Sequence, residues 1–231
     1  MKRRLGIDID ETIVYLLHDF LDWHNGEYDT ELAEERFLSY RWWETLGCTK
    51  EEAYARAVGY IRTKRDRTHP SFHGLEFVEG SLQALDLLSR DYELYGITSR
   101  NSLWEEDTAR LSSALYVEPD EGTFFPEIPL VGFAGEGLIL PMDRIYSGSI
   151  LGKTKLQLCQ ELGIDTLIDD DADVVRLCAE GGIHVYVPVR PWNRTLSSHP
   201  LIHRVRGWQE ICAALSPHKV VLPDLGISFY L

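Results

Sequence analysis

Leu5-Gly6-Ile7-Asp8-Ile9-Asp10-Glu11-Thr12 is the stretch whose reading decides the fold. Leu5, Ile7 and Ile9 alternate with Gly6, Asp8 and Asp10, the period-2 pattern of a short strand. Side chains two residues apart on a strand share a face, so the pattern puts two carboxylates side by side where the strand ends. Carboxylates that close repel, and burying either is costly unless a cation or hydrogen-bond donors compensate. A divalent metal or a shared proton would resolve the conflict. The plainer alternative is an acidic turn in which Asp10 or Thr12 caps the following helix.

Further along the chain, other strand ends carry equally reactive groups. Tyr92 to Ile97 reads as a second strand ending in Thr98-Ser99-Arg100-Asn101, with a helix-like stretch from Leu103. Hydroxyls, helix amides and a guanidinium suit an oxyanion, although Ser and Asn also serve as helix N-caps. A helix over Gly152 to Leu162 begins with Lys153 and Lys155 and stops at Gly163. Thr166 to Ile168 is a short apolar strand ending in Asp169-Asp170-Asp171, and a helix follows from Ala172 to Glu180. The next strand, Ile183 to Val187, leads into Arg190-Pro191-Trp192-Asn193-Arg194. Alternating strands and helices over residues 83 to 187 predict a parallel sheet with helices on both faces, where ligands bind at the carboxyl ends of the strands. Asp8, Asp10, Thr98, Asp169, Asp170 and Arg190 all fall at such ends.

Residues 13 to 67 differ in character. Ile13 to His24, Thr30 to Phe37 and Thr49 to Ile61 read as helices, the last opened by a Thr49/Glu52 capping box. Together they form a helical insertion of about sixty residues, too long for a structureless connection. Trp23, Trp42 and Trp43 lie in it; such residues pack cores, and they also stack on flat ligand rings. The basic run Arg62 to Arg67 fits a solvated helix end better than a phosphate site. Pro70 and Gly74 interrupt the pattern, and Ser81 to Ser89 resumes it as a helix with leucines at 82, 85 and 88. Residues 116 to 150 are broken by Pro119, Pro126, Pro129 and Pro141; Ile128 to Phe133 suggests a third strand and the rest a long loop or hairpin.

Composition narrows the class of function. The 231 residues carry a formal net charge of −14, which argues against coating extended nucleic acid. Cys48, Cys159, Cys178 and Cys212 have no paired spacing for zinc or redox chemistry and read as buried thiols in a reducing compartment. Met1-Lys2-Arg3-Arg4 resembles the charged start of a leader, but Asp8 and Asp10 interrupt the apolar run that should follow. No stretch approaches the roughly 18 apolar residues of a membrane span, so a cytoplasmic location is expected.

Asp8, Asp10, Thr12, Thr98, a lysine at 155 or 153, and Asp169-Asp170, in that order, resemble the four motifs of the haloacid dehalogenase-like hydrolase superfamily. Ile168-Asp169-Asp170 and Arg190 to Arg194 look most like its 5′(3′)-deoxyribonucleotidase-like group. The resemblance implies an α/β fold: a three-layer, Rossmann-like core of residues 1–14 and 75–231, with a small helical cap of residues 15–74 inserted after the first strand. It also implies a phosphomonoester hydrolase in which Asp8 is the nucleophile, Asp10 the general acid and base, and Thr98 and Lys155 the groups that stabilise the transferring phosphoryl. Mg²⁺ would be held by Asp8, the backbone carbonyl of Asp10 and Asp170, with Asp169 behind them. Thr12, Ser99, Arg100, Arg190 and Arg194 are candidate substrate contacts, and Trp42 and Trp43 candidate base-stacking residues. The implied partner is a small phosphomonoester, with no membrane and no extended nucleic acid; oligomeric state is left open. A receiver domain would place its acidic pair and acceptor Asp in the reverse order, and a non-catalytic binding module would have no need of Asp10.

Overall fold

The computed structural model describes residues 2–68, 77–100, 142 and 144–216, without the side chains of residues 62 and 64–68. Among the described residues six strands form one parallel sheet: β1 (Arg3–Ile7), β2 (Tyr92–Thr98), β3 (Arg144–Ser147), β4 (Thr166–Ile168), β5 (His184–Pro188) and β6 (Ile202–Val205). Their order across the sheet is β3-β2-β1-β4-β5-β6. The opening strand is therefore central, pairing Leu5 with Leu94 of β2 on one side and with Thr166 of β4 on the other. Strand order reverses between β1 and β4, and such a switch point opens a crevice beyond the strands' carboxyl ends.

Alternation along the strands splits the core in two. Leu5, Ile7, Leu94 and Ile168 join one apolar cluster with α4 (Ser81–Ser89) and α8 (Trp208–Leu215). Ile97, Leu167, Val185 and Val187 join another with α6 (Lys155–Glu161) and α7 (Ala172–Glu180). Helices thus cover both faces, giving the three-layer α/β architecture expected from the sequence. The first cluster continues without a break into the helices between β1 and β2, through Leu17 and Phe20 of α1 (Leu16–Tyr28), Leu46 of α2 (Trp42–Leu46) and Tyr60 of α3 (Lys50–Thr68).

Several elements depart from the sequence reading. β1 stops at Ile7, so Asp8 and Asp10 lie in the turn that follows, not on one face of a strand. That turn closes on itself, Glu11 N–H donating to Val14 O and Ile13 N–H to Ile9 O, which delays α1 to Leu16. Thr30 to Phe37 yields only a 3₁₀ turn at Glu34–Arg36. Asn25 competes for the backbone there: its side chain accepts from Leu32 N–H and Thr30 Oγ1 and donates to Leu32 O. The Thr49/Glu52 capping box is present, Glu52 N–H donating to Thr49 Oγ1 at 3.1 Å and Thr49 N–H to Glu52 at 2.8 Å. α1 and α3 are joined by His24, whose Nε2 accepts from Arg56 at 2.9 Å while Nδ1 meets Thr30 Oγ1 at 3.1 Å.

The helix expected over Gly152 to Leu162 starts three residues later, because Gly152 turns left-handed at φ 63° and ends a separate short helix, α5 (Gly148–Leu151). Thr154 then opens α6 with a capping box to Gln157, which makes Lys155 its first helical residue. β3 and β6 were not foreseen as strands, nor α8 as a helix. The expected strand at 128–133 and the helix-like stretch from Leu103 lie outside the described residues, as do the side chains of most of the basic run at 62–67. Among the described residues, no helix is long and apolar enough to cross a membrane. Cys159, Cys178 and Cys212 are buried free thiols, and Cys48 is half-buried.

The turn carrying Lys155 leaves no room at Gly148, where an added Cβ would lie 2.5 Å from the backbone oxygen of Lys153. Gly148→Ala is expected to lower stability by about 1–3 kcal/mol through this overpacking, read from urea denaturation. An unchanged midpoint would mean that residues 148–154 give way freely.

Candidate active site

The turn after β1 and the turn after β4 meet at the switch point. Asp8 N–H donates to Ile168 O at 2.9 Å, continuing the β1–β4 pairing one residue past the end of β1. This alignment gathers the carboxylates of Asp8, Asp169 and Asp170, which each present an oxygen within 4.8 Å of the others, all buried. Lys155 enters from the first turn of α6 and places its Nζ 2.7 Å from Asp8 Oδ1 and 2.7 Å from Asp169 Oδ2. Lys153, the other lysine considered, points away and pairs with Glu161 at the surface.

Three buried carboxylates thus face one ammonium. Burial pushes the Asp8 carboxyl up to about 8 against the opposing pull of Lys155, and neighbouring Asp169 and Asp10 raise it further. Asp170 is also held well above the carboxylate range, by burial first and then by Asp8 and Asp169. Burial alone would lower Lys155, but Asp169 and Asp8 outweigh it and keep the ammonium charged. The donor set is all oxygen and carries surplus negative charge, which fits a hard divalent cation such as Mg²⁺.

Each flanking residue has a definite partner. Asp169 accepts from Asp171 N–H as well as from Lys155, so it fixes the β4 turn and the lysine together. Thr12 Oγ1 donates to Asp170 Oδ1 at 3.3 Å, and Trp192 Nε1 donates to Asp170 Oδ2 at 2.7 Å. Asp10 stands apart from the carboxylate trio and takes a two-point contact from Arg100, Nε at 2.9 Å from Oδ2 and Nη2 at 2.5 Å from Oδ1. Thr98 is fully buried at the end of β2, where its hydroxyl accepts from Arg100 N–H. Arg190 donates to Glu11 O at 2.7 Å and lies over the Tyr15 ring.

Ser99 and Arg194 are exposed. The Trp42 ring lies against Phe20 and Phe37, centroids 5.4 and 6.3 Å apart, joining α2 to α1, and Lys50 lies over the Trp43 ring. Besides Trp192, the sequence reading missed Tyr40. It meets Trp192 edge-on at 6.0 Å, and burial followed by the charges of Asp170 and Asp8 keeps its hydroxyl protonated. Glu11 was missed too: a buried residue at φ 58° whose carboxylate accepts from Leu17 N–H at the start of α1. Burial raises its carboxyl to about 8.

No family model and no curated protein sequence matches the chain. Solved structures do match in fold. A dehalogenase in an intermediate complex superposes with a TM-score of 0.56 at 13% identity, over 94% of this chain and 98% of its own. A HAD phosphatase from Thermococcus onnurineus gives 0.51 at 15%, over 94% and 100%. YfnB from Bacillus subtilis, bound to magnesium, gives 0.54 at 13%, over 93% and 98%. The fold is that of the haloacid dehalogenase-like hydrolases.

Proposed function

We propose that the chain is a Mg²⁺-dependent phosphomonoester hydrolase of the haloacid dehalogenase-like superfamily, with nucleoside or deoxynucleoside 5′-monophosphates as substrates. The observation that carries the reading is the buried meeting of Asp8, Asp169, Asp170 and Lys155 at the switch point of the sheet. Asp8 and Asp170, with the backbone carbonyl of Asp10, are the groups that would hold the metal. Once bound, the ion supplies positive charge that neutralises the phosphate oxygens during transfer.

Asp8 attacks phosphorus, forming an aspartyl-phosphate as the bond to the leaving oxygen breaks; this splits one hard displacement into two easier ones. Asp10 protonates the leaving oxygen, then takes a proton from the water that cleaves the acyl phosphate. Its two-point contact with Arg100 fixes the orientation of the Asp10 side chain beside Thr98. Lys155 and Thr98 offset the charge that builds on the transferring group. Residues 15–74 act as the cap, reaching through Tyr40 to the Trp192 ring that bonds Asp170.

The nucleotide preference rests on the resemblance of Ile168-Asp169-Asp170 and Arg190 to Arg194 to the deoxyribonucleotidase-like group. A sugar phosphate is the second reading, favoured by the packing of Trp42 against Phe20 and Phe37 instead of against an open face. The surplus of acid, −14, disfavours extended nucleic acid.

The test is phosphate release from nucleoside, deoxynucleoside and sugar phosphates, with Mg²⁺ or with excess chelator. Turnover on nucleoside monophosphates that the chelator abolishes is the expected result. Faster turnover on a sugar phosphate would replace the first reading by the second. Mg²⁺ binding with no release from any member would overturn both in favour of a binding module.

A further inference from the structure

Asp170 differs from its two carboxylate neighbours in what holds it. Asp8 and Asp169 share the Lys155 ammonium, whereas the hydrogen bonds to the Asp170 carboxylate come from neutral donors, the Thr12 hydroxyl and the Trp192 indole. An indole N–H is a donor only, and when buried it needs an acceptor. A neutral donor fixes the plane of a carboxylate without cancelling its charge, so that charge stays available to a cation.

The 3₁₀ turn Pro191–Asn193 reinforces the grip. Asn193, fully buried, donates from Nδ2 to Asp170 O at 2.9 Å and to Pro188 O at 2.8 Å, and accepts from Arg190 N–H through Oδ1 at 3.0 Å. One turn after β5 thus clasps both the side chain and the backbone of Asp170, and Tyr40, from the segment between α1 and α2, abuts its indole. From this geometry we infer that Trp192 and Asn193 are positioning residues for metal binding, Trp192 by orienting the Asp170 carboxylate and Asn193 by fixing its backbone. This inference rests on the reading of Asp170 as a metal ligand.

Partners that orient a ligating carboxylate are worth about 10- to 100-fold in metal affinity. Trp192→Phe keeps the ring and removes the donor, and titration calorimetry of the full chain with Mg²⁺ should show a Kd raised about 10-fold or more. Tyr92→Phe is the control. It removes a buried hydroxyl's bond to Leu215 O, remote from the carboxylates, and should leave the Kd unchanged whatever it does to thermal stability. A second measurement needs no variant: in ¹⁵N-labelled wild type, the indole N–H resonance with contacts to the Tyr40 ring should move on Mg²⁺ addition. Wild-type affinity in Trp192→Phe, or an unmoved Trp192 indole in a protein that binds Mg²⁺, would overturn the inference. Absence of Mg²⁺ binding by the wild type would instead overturn the metal reading itself, and this inference with it.

Discussion

Asp8→Asn is expected to reduce phosphate release by roughly 10⁴-fold or more while leaving the protein folded, the loss typical of removing a nucleophile. The two halves of this expectation have one origin. The amide cannot attack phosphorus, so no aspartyl-phosphate forms. It nevertheless resembles the neutral acid that burial favours at this position, where the carboxyl is pushed up to about 8. In the metal-free protein the substitution also relieves repulsion from Asp169 and Asp170, at the cost of one contact with Lys155. Thermal melting without metal should therefore be close to wild type or higher. Phosphate release near the wild-type rate would remove Asp8 from the nucleophile's role; an unfolded variant would show that the carboxylate is needed for the fold.

Lys155→Met should act the other way, on stability before activity. The side chain is of similar length but uncharged, and it would leave three buried carboxylates without the ammonium that Asp8 and Asp169 share at 2.7 Å. Breaking a buried pair by removing one partner costs about 3–5 kcal/mol. Urea denaturation at alkaline pH, above the value of about 8 at which Asp8 gives up its proton, should show a loss of that size, diminishing as pH falls and Asp8 becomes neutral. The sign follows from the raised pKa of Asp8: a folded-state value of about 8 means that the protonated form is the one the fold tolerates, so lowering pH through that value relieves the strain. Added Mg²⁺ should also restore part of the loss by replacing the missing positive charge. A midpoint unchanged even above pH 8 would mean that the ammonium does not hold these carboxylates in the fold.

What was legible in the sequence was whatever local pattern encodes. Leu5, Ile7 and Ile9 marked the central strand by alternation, and the acidic run after Thr166 to Ile168 marked where β4 ends. Lys155 and Lys153 were not separable by spacing, because the choice depends on Gly152 turning left-handed and Thr154 opening a new helix. β3 escaped notice as four residues shortly after Pro141, too short for alternation to register. The side-chain bonds that cross the fold were illegible: Trp192 reaches Asp170 across 22 positions, and Trp208 donates to Thr12 O across 196. Arg190 to Arg194 drew attention for its arginines, yet the indole and the amide between them touch Asp170. The usable signal was a tryptophan and an asparagine just past a strand end, on the same side of the sheet as the acidic turn.

The placement of β1 also bears on how the sheet comes together. The first of the six strands to leave the ribosome is one that must be flanked on both sides, yet its partners are β2, beginning at Tyr92, and β4, beginning at Thr166. Until those residues emerge, β1 has no neighbour, whereas the helices that follow it can begin to collapse on Phe20 and Tyr60 by short-range contacts. The pairing of Asp8 N–H with Ile168 O closes one of the longest chain loops in the sheet, so the carboxylates converge only late in assembly. A nascent chain halted before β4 would hold its first two acidic side chains in water, and the concentration of negative charge that defines the crevice would not yet exist.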